Sequence, residues 1–190
     1  MTWEERFKNA ISPSMYSVIE NQKTLKLEED NNGNPYEVSV ILENNKTYFH
    51  LRLDDFKNYE TTRYLKCTPG KDFDHILIDF NQLEIFYFEL KLPTAFDKTS
   101  SKVFSEKEQD SKKWLEHILF CAYPRCENIS FEEVFIRWKV SNKRMPSQRS
   151  ISMYSPGHRP IEVVGNSVNK SIKYECRTLI LNQLSTLTML

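Results

Sequence analysis

Asp74, Glu89 and Lys91 place two carboxylates and an ammonium in a stretch, DHILIDFNQLEIFYFELK, that is otherwise strongly apolar. Opposed like charges near a buried surface cost stability unless a proton, a base or a metal ion compensates them. A small set of hard oxygen ligands with open positions left over suits magnesium or manganese rather than zinc. Lys91 stands two residues beyond Glu89, hence on the same face of an extended strand, where its charge would orient or activate a water. Together these residue types support metal-assisted hydrolysis.

The elements that must position them are two short runs, residues 75–78 and 85–88, rich in branched and aromatic side chains and therefore strands. A four-residue loop of Phe80, Asn81, Gln82 and Leu83 makes a hairpin in which Asp79 pairs with Glu84. Counting outward sets Asp74 opposite Glu89. Alternation then puts Asp74, Ile76 and Ile78 with Glu89, Tyr87 and Ile85 on one face, and Leu77, Phe86 and Phe88 on the other. Both faces are apolar, which predicts a sheet covered on each side: a single α/β domain with a central mixed sheet flanked by helices.

The set Asp74, fourteen residues, then Glu89-Leu90-Lys91 resembles the signature of the PD-(D/E)XK nucleases, the restriction-endonuclease-like superfamily. A helix-like segment at 105–121 and a strand-like one at 134–140 follow in the order that the resemblance requires, and it covers residues 47–146. It implies a nuclease using Mg2+ or Mn2+, with Asp74, Glu89 and the Leu90 carbonyl as metal ligands and Lys91 positioning the attacking water. Phe73 stands where the family often has proline. Glu5 and Glu20 are the candidates for the family's further, earlier acid. Small nucleases of this kind act in bacterial defence or DNA processing. A nuclease-like subunit without catalysis, serving binding or scaffolding in a larger complex, is the alternative expectation.

Lys and Arg together number 26, as do Asp and Glu, so the net charge is zero. The distribution is uneven. From 137 to 173 the chain carries Arg137, Lys139, Lys143, Arg144, Arg149, Arg159, Lys170 and Lys173 against the single acid Glu162, with Trp138, Tyr154 and His158 between them. Basic residues interleaved with aromatics can neutralise phosphates and stack bases, so Lys139, Lys143, Arg144 and Arg149 are candidate nucleic-acid contacts, with DNA favoured over RNA. A solvated surface is the plainer meaning of the same charges. Residues 141–172 read as a loop-rich basic segment. The helix at 105–121 has an apolar stripe of Trp114, Leu115, Ile118 and Leu119, and Lys107, Gln109, Lys112 and Lys113 cluster near its start. Such charges usually solvate a helix; Gln109 or Lys113 approaching a phosphate is the functional reading.

The remaining features bound the class. A chain of 190 residues, 39% hydrophobic, supports one domain with a real core, and specificity would then come from a second copy or a partner protein. No run is long and apolar enough for a membrane span, and the charged start MTWEERFKNA is unlike a signal peptide, so a cytoplasmic location is expected. Cys67, Cys121, Cys126 and Cys176 form no CxxC pair. His117 and Cys121 fall four apart on the helix, where a histidine and a buried thiol are expected rather than zinc ligands. None of the four glycines builds a phosphate-cradling loop. A short helix is expected over 2–10, a polar turn over 28–34, and a hairpin of 36–42 with 47–53 that extends the central sheet.

Overall fold

The computed structural model describes residues 1–20, 24–30, 35–42, 45–57, 70–91, 95, 98–122, 131–140, 162–165, 169–176 and 178–180. Its centre is a seven-stranded sheet in the order β1 (Tyr16–Glu20), β4 (Thr47–Leu51), β5 (His75–Asp79), β6 (Glu84–Lys91), β7 (Glu132–Val140), β9 (Asn169–Cys176) and β8 (Glu162–Gly165). Pairing is antiparallel from β1 to β6, parallel across β6, β7 and β9, and antiparallel at β8. A second sheet of three strands has the order β10 (Thr178–Ile180), β3 (Pro35–Ile41) and β2 (Thr24–Asp30). The sheet is therefore mixed and the class α/β, as the two apolar faces of the hairpin predict.

One face carries the helices. Helix α1 (Trp3–Ala10) starts with a capping box, in which the Thr2 hydroxyl accepts from Glu5 N and the Glu5 carboxylate accepts from Thr2 N. It buries Phe7 against Phe49, Phe80 and Tyr16. Helix α2 (Ser101–Ala122) is the crossover that a parallel β6–β7 pair needs, and buries Phe104, Ser111, Leu115, Ile118 and Ala122. Of these, Leu115, Ile118 and Ala122 join Phe7, Ile76, Ile78, Ile85, Tyr87 and Phe135 in one core.

The other face is covered by the second sheet rather than by helices. Leu27, Val38 and Val40 pack on Tyr48, Leu77, Phe86, Phe88 and Trp138. This replaces the expected hairpin of 36–42 with 47–53: β3 pairs with β2 and β10, while β4 pairs with β1 and β5. Both strands have the expected β pattern, but each finds its partner in a different layer. The polar turn expected over 28–34 is strand in its first three residues, since β2 runs through Glu28 and Glu29 to Asp30; residues 31–34 lie outside the described residues. Part of the basic segment expected as loop is strand, β8 and the start of β9; residues 141–161 lie outside the described residues.

The β5–β6 hairpin follows the predicted register. Asp79 pairs with Glu84 and His75 with Phe88, so Asp74 stands one step further, level with Glu89. The Asp79 carboxylate accepts from Asn81 N and Gln82 N at 2.9 and 3.0 Å, and Leu83 closes the loop with φ of 54°.

Candidate functional site

Asp74, Glu89 and Lys91 meet at the end of this hairpin remote from its turn. Asp74 is held by Leu90, whose backbone N–H donates to its Oδ2 at 2.7 Å. In an extended strand the N–H and C=O of one residue point to the same side, so the Leu90 carbonyl is turned toward Asp74 as well. Lys91 Nζ lies 2.9 Å from Glu89 Oε1 and 3.6 Å from Asp74 Oδ2. Glu89 is fully buried, at 0% exposure. Burial raises the pKa of both carboxyls above the ordinary range. Asp74 adds to the rise at Glu89, while Lys91 and Lys107 oppose it at both.

Lys107 completes the cluster. Its Nζ donates to both Glu89 oxygens, at 2.7 and 2.6 Å, and stands 3.9 Å from Asp74 Oδ1. The sequence shows it only as one of several lysines near the start of α2. The signal that singles it out is spacing: Phe104, Lys107, Ser111, Leu115 and Ile118 recur every three or four residues, so Lys107 lies on the buried stripe. Gln109, two residues on, is exposed and points well away from that stripe. Lys113 pairs at 3.8 Å with Asp110. From the same stripe, the Ser111 hydroxyl accepts from Phe73 N at 2.8 Å, pinning the residue before Asp74 to the helix. Lys57 holds the approach to Asp74 from the other side, through Asp72 at 3.0 Å and the Gly70 carbonyl.

A third acid arrives from the second sheet. Glu29 Oε1 lies 3.3 Å from both His75 Nε2 and Arg52 Nη2. Burial would raise the Glu29 pKa, but the close contact with His75 and the charges of His75, Arg52 and Lys91 outweigh it and hold the carboxyl below its ordinary value. The same electrostatic reach connects Glu29 to Asp74. His75 Nδ1 faces His50 Nε2 at 3.0 Å, and His50 Nδ1 faces Ser17 Oγ at 3.4 Å. The readable sign of Glu29 is its alternation with Leu25 and Leu27, which sets it on the inward face of β2.

The two acids nominated earlier are elsewhere. Glu5 is engaged in the cap of α1. Glu20 pairs with Thr47 at the far end of β1, level with the hairpin turn rather than with Asp74. Arg137 stands beside Glu89 in register, but it is tied to Glu108 at 2.5 Å and lies over the Phe104 ring. Lys139 is placed in β7 beside Lys91, whereas Lys143, Arg144 and Arg149 lie outside the described residues. Cys121 is exposed rather than buried.

The donor chemistry fits a small hard cation: the buried carboxylate of Glu89 and the half-buried one of Asp74 on neighbouring segments, with a backbone carbonyl turned to the same side. Among the described residues no three His, Cys, Asp or Glu side chains converge as a ready cage. Comparison with protein families, curated proteins and solved structures finds no match for this chain. Fold and site thus define a mixed α/β protein with a buried carboxylate–lysine cluster at one end of its central sheet.

Proposed function

We propose that the chain is a metal-dependent phosphodiesterase, a nuclease of PD-(D/E)XK type with a restriction-endonuclease-like fold. The observation that carries this reading is the meeting of Asp74, just before β5, with Glu89 on β6, with Lys91 within 3.6 Å of both. The element order after the hairpin, α2 and then β7, is the order that the resemblance calls for. Bound at Asp74, Glu89 and the Leu90 carbonyl, Mg2+ or Mn2+ would polarise the phosphodiester and acidify a water. Leu90 N–H fixes the Asp74 rotamer, Glu89 supplies a carboxylate that burial makes a strong proton acceptor, and the Lys91 ammonium orients the water and the developing negative charge.

The substrate class is nucleic acid, DNA in the first instance, with the basic residues of 137–173 as backbone contacts and a second copy or partner supplying selectivity. No helix among the described residues is long and apolar enough to cross a membrane. A cytoplasmic role in defence or DNA processing goes with this reading.

Labelled single- and double-stranded DNA and RNA, incubated with Mg2+ or Mn2+, test the proposal. Wild type should cleave at least one of them, and Glu89→Ala and Lys91→Ala should each lose about 100-fold or more while remaining folded. Equal cleavage by wild type and Glu89→Ala would sink the assignment. One observation favours a second reading: Lys91 and Lys107 already neutralise Asp74 and Glu89, as they would in a catalytically inactive binding subunit. Nucleic-acid binding without cleavage by wild type under every condition would select it.

A further inference from the structure

Lys107 belongs to α2 rather than to the hairpin, yet its ammonium touches Glu89 at both oxygens and approaches Asp74 to 3.9 Å. That is the seat between the two acids. Two ammoniums already balance two carboxylates there, so a divalent cation entering without displacement would leave two surplus charges in a buried site, which Coulomb repulsion opposes. Lys107 reaches the site on a flexible four-carbon stem from a helix anchored by Phe104 and Ser111, and that stem can swing without moving the helix; it bonds to both Glu89 oxygens, whereas Lys91 lies against Oε1.

A second acceptor stands nearby. Asp72 adjoins Phe73, whose N–H is held at 2.8 Å by Ser111, one turn along the helix face that carries Lys107, and the Lys107 charge acts on it. Its Oδ1 is 3.0 Å from Lys57, while its Oδ2 is buried with no hydrogen-bond partner. An unsatisfied buried carboxylate oxygen costs free energy until a donor arrives.

We infer that Lys107 is a resident cation that exchanges with the metal: it occupies the Asp74–Glu89 seat in the free protein and moves to Asp72 Oδ2 when a divalent cation binds. The inference rests on the reading of Asp74 and Glu89 as metal ligands. Lys107 acts here as a positioning residue that holds both acids aligned before the metal arrives.

Mn2+ binding, followed by the loss of its free-ion electron paramagnetic resonance signal, tests the exchange on wild type, Lys107→Met, Asp72→Asn and the double variant. Lys107→Met should bind Mn2+ about tenfold more tightly, and Asp72→Asn several-fold more weakly. In the double variant the Asp72 effect should vanish, because no ammonium remains to be received. Simple removal of charge would instead leave the Asp72 effect unchanged in the double variant, and that result overturns the exchange, as does Mn2+ binding no tighter in Lys107→Met. Should Lys107→Met fail to fold, unchanged or tighter Mn2+ binding by Asp72→Asn alone overturns it. Wild-type cleavage measured alongside separates the two levels: cleavage with no Lys107 effect on Mn2+ defeats the exchange alone, whereas neither Mn2+ binding nor cleavage defeats the metal site as well.

Discussion

Burial, together with the neighbouring His75 and Arg52, lowers the His50 pKa from 6.5 to about 3. The unfolded chain takes up this proton near 6.5 and the folded chain does not. The stability that His50 contributes is therefore present above 6.5 and is lost as pH falls from there toward 3. At about 1.4 kcal/mol per pKa unit, the full shift amounts to a few kcal/mol. Asp74 and Glu89 act in the opposite sense. Their raised pKa values give stability that is full below the ordinary carboxylate range and is lost as pH rises through the raised values. Comparing wild type with His50→Gln cancels that carboxylate contribution, because Gln cannot titrate and both proteins keep the acids. Denaturant unfolding at pH 7, 6, 5 and 4 should show the wild type losing its advantage, or gaining a deficit, of a few kcal/mol across the series. Parallel pH profiles for the two proteins would show that His50 protonates without opposition in the fold.

At the scale of elements, the hairpin turn stores strain that the site does not use. Leu83 has φ of 54°, a left-handed conformation that costs a branched residue roughly 1 kcal/mol and asparagine less. The turn is otherwise well bonded, through Asp79 on its inner side and the Leu83 carbonyl, which accepts from Glu132 N at 2.8 Å where β7 begins. Leu83→Asn should raise the melting temperature by roughly 2–4 °C for a chain of this size, with no change in divalent-cation binding at the opposite end of the hairpin. A fall would mean that the half-buried leucine side chain contributes more by packing than its backbone loses by strain. The hairpin's register was legible because residue types alternate on both faces and polar residues mark the turn. The left-handed residue was not, since nothing in Phe-Asn-Gln-Leu requires φ > 0 at its last position. Lys107 was hidden for a related reason: a lysine in a charged helical run looks solvated until the period of Phe104, Ser111 and Leu115 is followed through it.

At the scale of the molecule, the site draws on two layers that sequence order does not connect. The hairpin supplies Asp74 and Glu89, α2 supplies Lys107 from one face, and β2 supplies Glu29 from the other. Period-two pattern identified β3 and β4 as strands, but pairing depends on which layer each joins, and that is decided by tertiary packing. Hence the second sheet could not be read from local pattern: alternation sets Glu29 on the inward face of β2 without telling which layer that face meets. This layering separates two substitutions of equal size. Leu27 is fully buried between the sheets, two residues before Glu29 on the same face of β2, and Leu115 is 1% exposed on α2 beneath the opposite face. Leu27→Ala and Leu115→Ala should each cost about 2–5 kcal/mol, a drop of roughly 5–15 °C in melting temperature. Their local consequences differ. A cavity behind β2 frees Glu29 from His75, whereas a cavity under α2 leaves that contact in place and disturbs Lys107 instead. Imidazole resonances followed by two-dimensional NMR should move for His75 in Leu27→Ala and stay near their wild-type positions in Leu115→Ala. Identical His75 spectra in both variants would show that Glu29 is held by His75 and Arg52 alone, independently of the sheet that delivers it.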